Sequence, residues 1–207
     1  MKTIHAIVCI GSLLFISLTS NAQQTKFWTE TDRQWLLDSL KITRDQLITE
    51  TDNLTEAQWN FKESPERWSI KEVVEHIGYW ELLLTHEVSK ALAQGPKPEL
   101  SKNAKPDSIY LGFILEEKPH ISTEYTKPFT YTLPMGLNDG KSDMAWVLKM
   151  RNESVNFIDS TTADLRSYFL YDKRPNIHQV YITIFGHMER HLRQIRKIKA
   201  NPGYPKK

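Results

Sequence analysis

The sequence predicts an all-α fold, a four-helix bundle with a long crossover between its second and third long helices. Three observations support this prediction. Four long stretches repeat apolar side chains at helical spacing, and most of them begin with residues that cap helices. Between the second and third of these stretches lie six prolines, which exclude another long unbroken helix. Because each amphipathic helix must bury one face, the four are expected to pack around a shared core.

The N-terminal segment, residues 1–22, predicts a secretory signal peptide that is cleaved before Gln23. Lys2 precedes an apolar run from Ile4 to Leu18, and Ser20-Asn21-Ala22 resembles a small-x-small cleavage site. The alternative is an uncleaved membrane anchor, but the run is short for a span of about 20 apolar residues. We therefore expect an exported protein, periplasmic or extracellular, with no stable membrane anchor and a single domain over residues 23–207.

Cysteine content and charge exclude several classes of function. The single cysteine, Cys9, lies in the predicted signal peptide, so the mature chain would offer no disulfide, thiolate ligand or cysteine nucleophile. Removing residues 1–22 takes away one charged side chain, Lys2, and lowers the formal net charge from +2 to +1. A near-neutral chain predicts no nucleic-acid partner. The basic cluster from Arg190 to Lys199 lies at a predicted helix end, where cations stabilise the helix dipole.

The first long helix is predicted from about Thr31 to Thr51. Thr31 and Gln34 have the spacing of a capping box. Residues that repeat at helical intervals follow: Trp35, Leu36, Leu40, Thr43 and Leu47. A second capping-box pattern, Thr55 to Gln58, predicts a brief turn of helix that ends near Ser64-Pro65.

The second long helix has the strongest start signal in the chain. Ser69 is the expected N-cap, and Glu72 three residues later completes a capping box. Gln94 is the expected end, because Gly95-Pro96 supplies a C-cap and a stop. One apolar face contains Ile70, Val73, Val74, Ile77, Trp80 and Leu84. His76 falls within this face, so its side chain is expected to point inward.

The crossover from Pro96 to Lys141 predicts one short helix, Asp107 to Glu117, and an extended segment, Phe129 to Leu133. A connection of this length can join parallel neighbouring helices and can also roof a pocket. The third long helix is predicted to begin at Ser142-Asp143 and to end around Ser160 to Thr162. Its expected inner face contains Trp146, Met150, Ser154, Phe157 and Ile158.

The last long helix, Ile177 to Ile198, contains the pair His187 and His191. Side chains four residues apart lie on one helix face, about 5–6 Å apart at Cβ, so the two imidazoles can point at one spot. The apolar stripe that includes both histidines contains Ile177, Val180, Ile184, Ile195 and Ile198. An unpartnered histidine in the interior is costly, so the pair predicts half of a metal site.

The inward His76 makes a third imidazole available. Three neutral imidazoles with vacant positions are typical of catalytic sites for Zn²⁺, Ni²⁺ or Fe²⁺, whereas a closed structural zinc site would need a fourth protein ligand. A lone inward histidine is more often a satisfied core residue, so three metal-free core histidines stay an alternative. His86, ten residues after His76, is predicted to be a surface histidine or to lie at a pocket mouth.

Other catalytic motifs do not fit. Glu189 stands two residues after His187, about 200° around the helix, whereas a zinc protease places its glutamate directly after the first histidine. The sequence has no Gly-x-Ser-x-Gly, no phosphate-binding glycine loop and no dinucleotide fingerprint.

Two stretches resemble the signatures of the DinB-like superfamily, which includes YfiT-type metal-dependent hydrolases. They are Trp68-Ser-Ile-Lys-Glu-Val-Val-Glu-His76-Ile and Gly186-His187-Met-Glu-Arg-His191-Leu-Arg-Gln194-Ile. The resemblance extends from about Leu36 to Ile198 and includes Leu54-Thr-Glu-Ala-Gln, Pro134-Met-Gly136 and Asp164-Leu-Arg166. It implies a four-helix bundle with the first and last long helices antiparallel to the other two. It also implies a divalent metal on His76, His187 and His191.

The family resemblance leaves the reaction open. Its members include thiol transferases that use bacterial low-molecular-weight thiols, an isomerase and many proteins without a known activity, and they often form dimers through their helices. A secretory signal is unexpected for an enzyme that uses cytoplasmic thiols, so the first hypothesis is hydrolysis of a small molecule by metal-activated water. Thiol S-transfer and a non-catalytic metal-binding or dimerisation module are the alternatives. The sequence identifies neither substrate nor metal, and it assigns no role to Glu81, His86, Arg190 or Gln194.

Overall fold

The computed structural model describes residues 26–116, 132–171 and 175–206. Within these ranges the chain forms seven helices and no β-strand. The helices are α1 (Glu30–Thr51), α2 (Glu56–Asn60), α3 (Ile70–Gln94), α4 (Pro98–Ser101), α5 (Asp107–Leu115), α6 (Gly140–Ser160) and α7 (Ile177–Lys199). The four long helices α1, α3, α6 and α7 correspond to the four predicted ones. In the part of the chain described, no helix combines the length and the apolar character that a membrane crossing requires.

Contacts between helix ends show that α1 is antiparallel to α6 and parallel to α7. Arg33, in the first turn of α1, donates to the carbonyls of Ile158 and Thr161 at the end of α6. At the other end of α1, Glu50 forms ion pairs of 2.8 Å and 2.7 Å with Arg196 and Lys199 of α7. The first and last long helices therefore run in the same direction.

The pairing of α3 follows from two further contacts. Gly78 of α3 lies against Trp146 of α6, and the later Glu81 pairs with the later Arg151, so these two helices are parallel. Parallel neighbouring helices need a long connection, and the 45 residues between Gln94 and Gly140 provide it, in agreement with the predicted crossover. Against α7 the order is reversed, because His76 lies beside His191 and Trp80 beside the earlier His187.

The core is divided by a buried polar layer. Arg151 donates to the carboxylate of Glu81 at 2.8 Å and to the Thr43 hydroxyl at 2.7 Å, and Ser154 also donates to Glu81. One apolar cluster on one side of this layer includes Leu36, Leu40, Leu84, Ile158, Leu165, Val180 and Ile184. The cluster on the other side includes Leu47, Trp59, Ile70, Val73, Ile77, Val147, Leu192 and Ile195.

Four predicted helix starts, those of α2, α3, α5 and α7, are correct and two are shifted. The capping boxes Thr55 to Gln58 and Ser69 to Glu72 are present, and Asn176 caps α7. The predicted box at Thr31 is wrong, because Thr29 is the N-cap of α1 and exchanges hydrogen bonds with Asp32. Helix α6 also starts before the predicted Ser142-Asp143. Its N-cap is Asp139, whose carboxylate accepts a hydrogen bond from the Ser142 N–H.

The inner face predicted for α6 is only partly correct. Ser154 and Ile158 are buried, but Trp146, Met150 and Phe157 are half-buried. The other buried positions include Met144, Val147, Arg151 and Val155. Arg151 occupies a core position because Glu81 pairs with it there, and an apolar pattern does not reveal such a charged residue.

The shorter predicted segments differ in extent. The turn of helix after Thr55 ends at Asn60 rather than near Ser64-Pro65, and α5 ends at Leu115 rather than Glu117. The sequence did not predict α4. The extended segment Phe129 to Leu133 lies mostly outside the described residues, and the predicted signal peptide, residues 1–22, lies wholly outside them.

Candidate metal centre

Three imidazoles meet between α3 and α7. His76 comes from the second turn of α3, and His187 and His191 lie on consecutive turns of α7. The ring centroids are 4.4 Å apart for His187 and His191, 5.1 Å for His76 and His187, and 4.9 Å for His76 and His191. One nitrogen from each ring lies within 4.8 Å of one from each other ring, so the three histidines can hold a metal ion.

Hydrogen bonds determine which nitrogen two of these rings present to the cluster. The Nδ1 of His76 lies 2.6 Å from the Thr132 carbonyl oxygen, so this nitrogen carries the proton and donates it. The Nδ1 of His191 lies 2.8 Å from Oε1 of Gln194 and donates in the same way. Both rings therefore direct an unprotonated Nε2 toward the cluster. A backbone carbonyl or amide that orients a ligating histidine in this way is a common feature of metal sites.

The spacing of the nitrogens suits a small divalent ion. The Nε2 atoms of His187 and His191 are 3.1 Å apart. Two nitrogens bound to one tetrahedral zinc at about 2.0–2.1 Å are about 3.3 Å apart, so little movement is needed for both to bind the same ion.

The imidazoles are neutral at pH 7 because burial disfavours the charged form. Burial lowers the pKa of His76 to about 4, although its hydrogen bond to Thr132 opposes the shift. Burial and the nearby His76 lower the pKa of His191 to about 3, against the opposing effect of Gln194. Burial, together with His191 and His76, holds the pKa of His187 well below its ordinary value. Protons therefore compete little for these nitrogens at neutral pH.

Two tryptophans flank the cluster. The Trp68 ring lies 4.7 Å from His76, and the Trp80 ring lies 5.3 Å from His187, measured between centroids. Both side chains are half-buried, so they restrict solvent access while leaving part of each ring at the surface. Trp80 follows His76 by four residues, a spacing that places both on one helix face.

Helix α5 packs against α7 beside the histidines. A Cβ at Gly186 would lie 2.5 Å from Cγ2 of Ile114, so the glycine permits this close approach. Arg190 donates to the Glu116 carbonyl, and Arg193 donates to the Leu115 carbonyl at 2.9 Å. The end of α5 at Leu115 and the next residue, Glu116, therefore lie beside α7.

Of the other residues that the sequence singled out, His86 and Glu81 lie away from the histidine cluster, whereas Gln194 contacts it. His86 is exposed on α3, as the surface interpretation predicted. Glu81 belongs to the core ion pair with Arg151 rather than to the histidine cluster. Sequence reasoning did not assign Gln194 its contact with His191, although the spacing of three residues on one helix could have indicated it. The Thr132 carbonyl is a backbone group, so no side-chain pattern could have revealed it.

Comparison with known proteins identifies the family and supports the all-α fold. The family model described as DinB superfamily matches residues 39–195, a span that includes all three histidines. No curated protein matches the chain, and no solved structure does. Because the matching model covers more than half of the sequence, the chain belongs to the DinB superfamily.

Proposed function

We propose that the protein is a metal-dependent enzyme that binds a divalent ion through His76, His187 and His191 and hydrolyses a small molecule. The observation that supports this most directly is the convergence of three buried, neutral imidazoles on one point. Among the described residues, that cluster of histidine, cysteine and carboxylate side chains has these three members and no fourth. Three protein ligands leave a coordination position for substrate, as in catalytic rather than structural zinc sites.

The donor atoms fit several metals. Neutral imidazole nitrogens suit Zn²⁺, Ni²⁺ and Fe²⁺, and the nitrogen spacing does not select among them. When bound, such an ion supplies Lewis acidity and lowers the pKa of a water molecule or thiol that shares the site. DinB-type proteins bind metal, which agrees with this assignment.

Residues of this chain prepare the site for that chemistry. The Thr132 carbonyl and Gln194 hold the Nδ1 protons of His76 and His191, which keeps the Nε2 lone pairs directed inward. Trp68 and Trp80 limit the solvent around the imidazoles, and a lower local dielectric strengthens interactions between charges there. Export after cleavage before Gln23 and assembly as a homodimer are also part of our proposal. Export rests on residues 1–22 and dimerisation on the family resemblance.

The test is an activity screen on the mature protein, produced without a histidine tag and loaded separately with Zn²⁺, Ni²⁺ or Fe²⁺. Ester, amide and phosphoester substrates are assayed with and without low-molecular-weight thiols. We expect thiol-independent hydrolysis that His187→Ala abolishes and that the exposed matched control His86→Ala leaves unchanged. Turnover only with a thiol would replace hydrolysis by S-transfer. Full turnover by His187→Ala would contradict the proposal in either form.

A further inference from the structure

Two adjacent residues of α3 hold the returning end of the crossover. His76 donates from Nδ1 to the Thr132 carbonyl at 2.6 Å, and the carboxylate of Glu75 accepts a hydrogen bond from the Gly136 N–H at 2.8 Å. The segment 132–136 is therefore attached to α3 at both of its ends. One of the two attachments is the bond that orients a histidine of the cluster.

Glu75 has a buried carboxylate that, among the described residues, is held by hydrogen bonds rather than by an ion pair. Its exposed fraction is 0%, and in the part of the chain described no ion pair includes it. Its other carboxylate oxygen accepts a hydrogen bond of 3.1 Å from the Tyr79 hydroxyl, one helical turn away. Burial of a carboxylate is costly unless its oxygens are hydrogen-bonded, so both of these bonds are needed to hold the group in place.

The held segment has little apolar packing of its own. Leu133 and Met135 are 51% and 57% exposed, so burial of their side chains does not fix the backbone between Thr132 and Gly136. Gly136 has φ of +69°, a conformation that residues with a Cβ rarely adopt. Thr132 is 4% exposed, so packing as well as the His76 hydrogen bond holds that end of the segment, whereas at the exposed Gly136 the backbone is restrained by its hydrogen bond to Glu75.

We propose that Glu75 is a positioning residue for His76. By holding the Gly136 N–H, it keeps the Thr132 carbonyl on Nδ1 of His76, which selects the tautomer and directs Nε2 into the cluster. This inference deepens the proposed function and rests on it, since the orientation of Nε2 serves a bound metal. Groups that orient metal-binding histidines typically change metal affinity by about 10–100-fold when they are mutated.

The experiment compares Glu75→Ala, Glu75→Gln and a matched control on the same helix. Glu87 is also buried and also accepts a hydrogen bond from a tyrosine, Tyr171, but it lies roughly 18 Å further along α3. Zn²⁺ affinity is measured by competition with a chelator. The tautomer of His76 is measured in the metal-free protein from the ¹⁵N shifts of its ring, so one readout does not depend on metal.

We expect Glu75→Ala to weaken Zn²⁺ binding by about 10-fold or more and to mix the two His76 tautomers. Glu75→Gln should retain most of the affinity, because its amide oxygen can accept from Gly136 and its NH₂ group can donate to Tyr79. Glu87→Ala should leave both readouts unchanged. A Glu75→Gln variant as weak as Glu75→Ala would show that charge matters rather than the anchor, and would overturn the proposal.

A second variant tests the same connection without touching Glu75. Gly136→Ala retains the N–H donor but strains the positive φ, so we expect weaker Zn²⁺ binding by a smaller factor. If the two residues act through one contact, the double variant should bind no more weakly than Glu75→Ala alone. If Glu75→Ala does not fold, Gly136→Ala and the double variant Glu75→Gln with Gly136→Ala are measured in its place.

The outcomes separate this inference from the proposed function. Wild-type protein that binds no Zn²⁺ contradicts the metal site itself. Wild-type protein that binds Zn²⁺ through the three histidines, while Glu75→Ala and Gly136→Ala bind equally tightly and leave the His76 tautomer unchanged, overturns the positioning role alone.

Discussion

The Nε2 atoms of His187 and His191 lie 3.1 Å apart on consecutive turns of α7. Because Gln194 holds the Nδ1 proton of neutral His191, Nε2 of His191 is an acceptor and His187 must supply the proton between the two rings. A divalent ion can replace that single proton and bind both nitrogens. The pair is therefore arranged to share either a proton or a metal.

Gln194 should contribute to metal affinity without binding the metal. Gln194→Ala removes the acceptor that orients His191, and we expect it to weaken Zn²⁺ binding by about 10–100-fold. Gln194→Glu retains an acceptor oxygen and should bind at least as tightly as Gln194→Ala. Chelator competition measures both, with the exposed Gln34→Ala as a control. Equal affinity in Gln194→Ala and wild type would contradict the orienting role.

The core ion pair should be far more important for stability than surface pairs. Arg151→Met leaves the Glu81 carboxylate buried without its cation, and we expect a loss of about 3–5 kcal/mol in the free energy of unfolding. Combining it with Glu81→Leu should recover most of that loss, because neither charge is then buried. Urea unfolding monitored by circular dichroism gives the values.

A matched surface variant calibrates this prediction. Arg44→Met breaks an ion pair with the exposed Asp45 and should cost less than about 1 kcal/mol. A double variant at Arg151 and Glu81 that stays as unstable as Arg151→Met would show that packing, rather than the unpaired charge, causes the loss.

Asp107 should make stability depend on pH in the acidic range. Burial tends to raise the pKa of its carboxyl, but hydrogen bonds from His178, Arg166 and Gln179 outweigh burial and hold the pKa well below its ordinary value. A depressed carboxyl pKa stabilises the fold above the unfolded-state value of about 3.9, and this contribution is lost as the pH falls toward the folded-state value.

The variant Asp107→Asn should therefore be less stable than wild type at pH 7, and the difference should shrink as the pH falls below about 4. Urea midpoints at pH 7, 5 and 3 measure it, with the exposed Asp159→Asn as a control. A difference that stays constant from pH 7 to pH 3 would mean that the carboxylate charge is not the cause.

Capping residues explain why the two helices of the site could be predicted closely. Helix α3 begins after its predicted cap Ser69, α7 begins at the predicted Ile177, and Gly95 follows the end of α3 with a positive φ. Once these starts are known, helical periodicity places His76 and His191 on faces that turn inward. The three histidines that meet in the structure are those that the sequence singled out.

Features that depend on backbone or on distant partners could not be predicted. The acceptor for His76 is the Thr132 carbonyl, which any residue could supply. Arg151 is a core residue because Glu81, on another helix, neutralises it, so the apolar pattern of α6 alone placed the inner face incorrectly. The spacing of Thr31 and Gln34 fits a capping box as well as that of Thr29 and Asp32, so the sequence pattern alone does not select the cap of α1.

Metal stoichiometry in three matched variants tests the central claim most directly. Tag-free mature protein is purified as wild type, His76→Ala, His187→Ala, His191→Ala and the exposed control His86→Ala. Each is equilibrated with Zn²⁺, dialysed and analysed by elemental mass spectrometry. We expect about one ion per chain in wild type and in His86→Ala, and loss of the ion in each of the other three while the helical circular dichroism spectrum persists. Stoichiometric metal in all five proteins, or metal in none of them, would contradict a site formed by His76, His187 and His191.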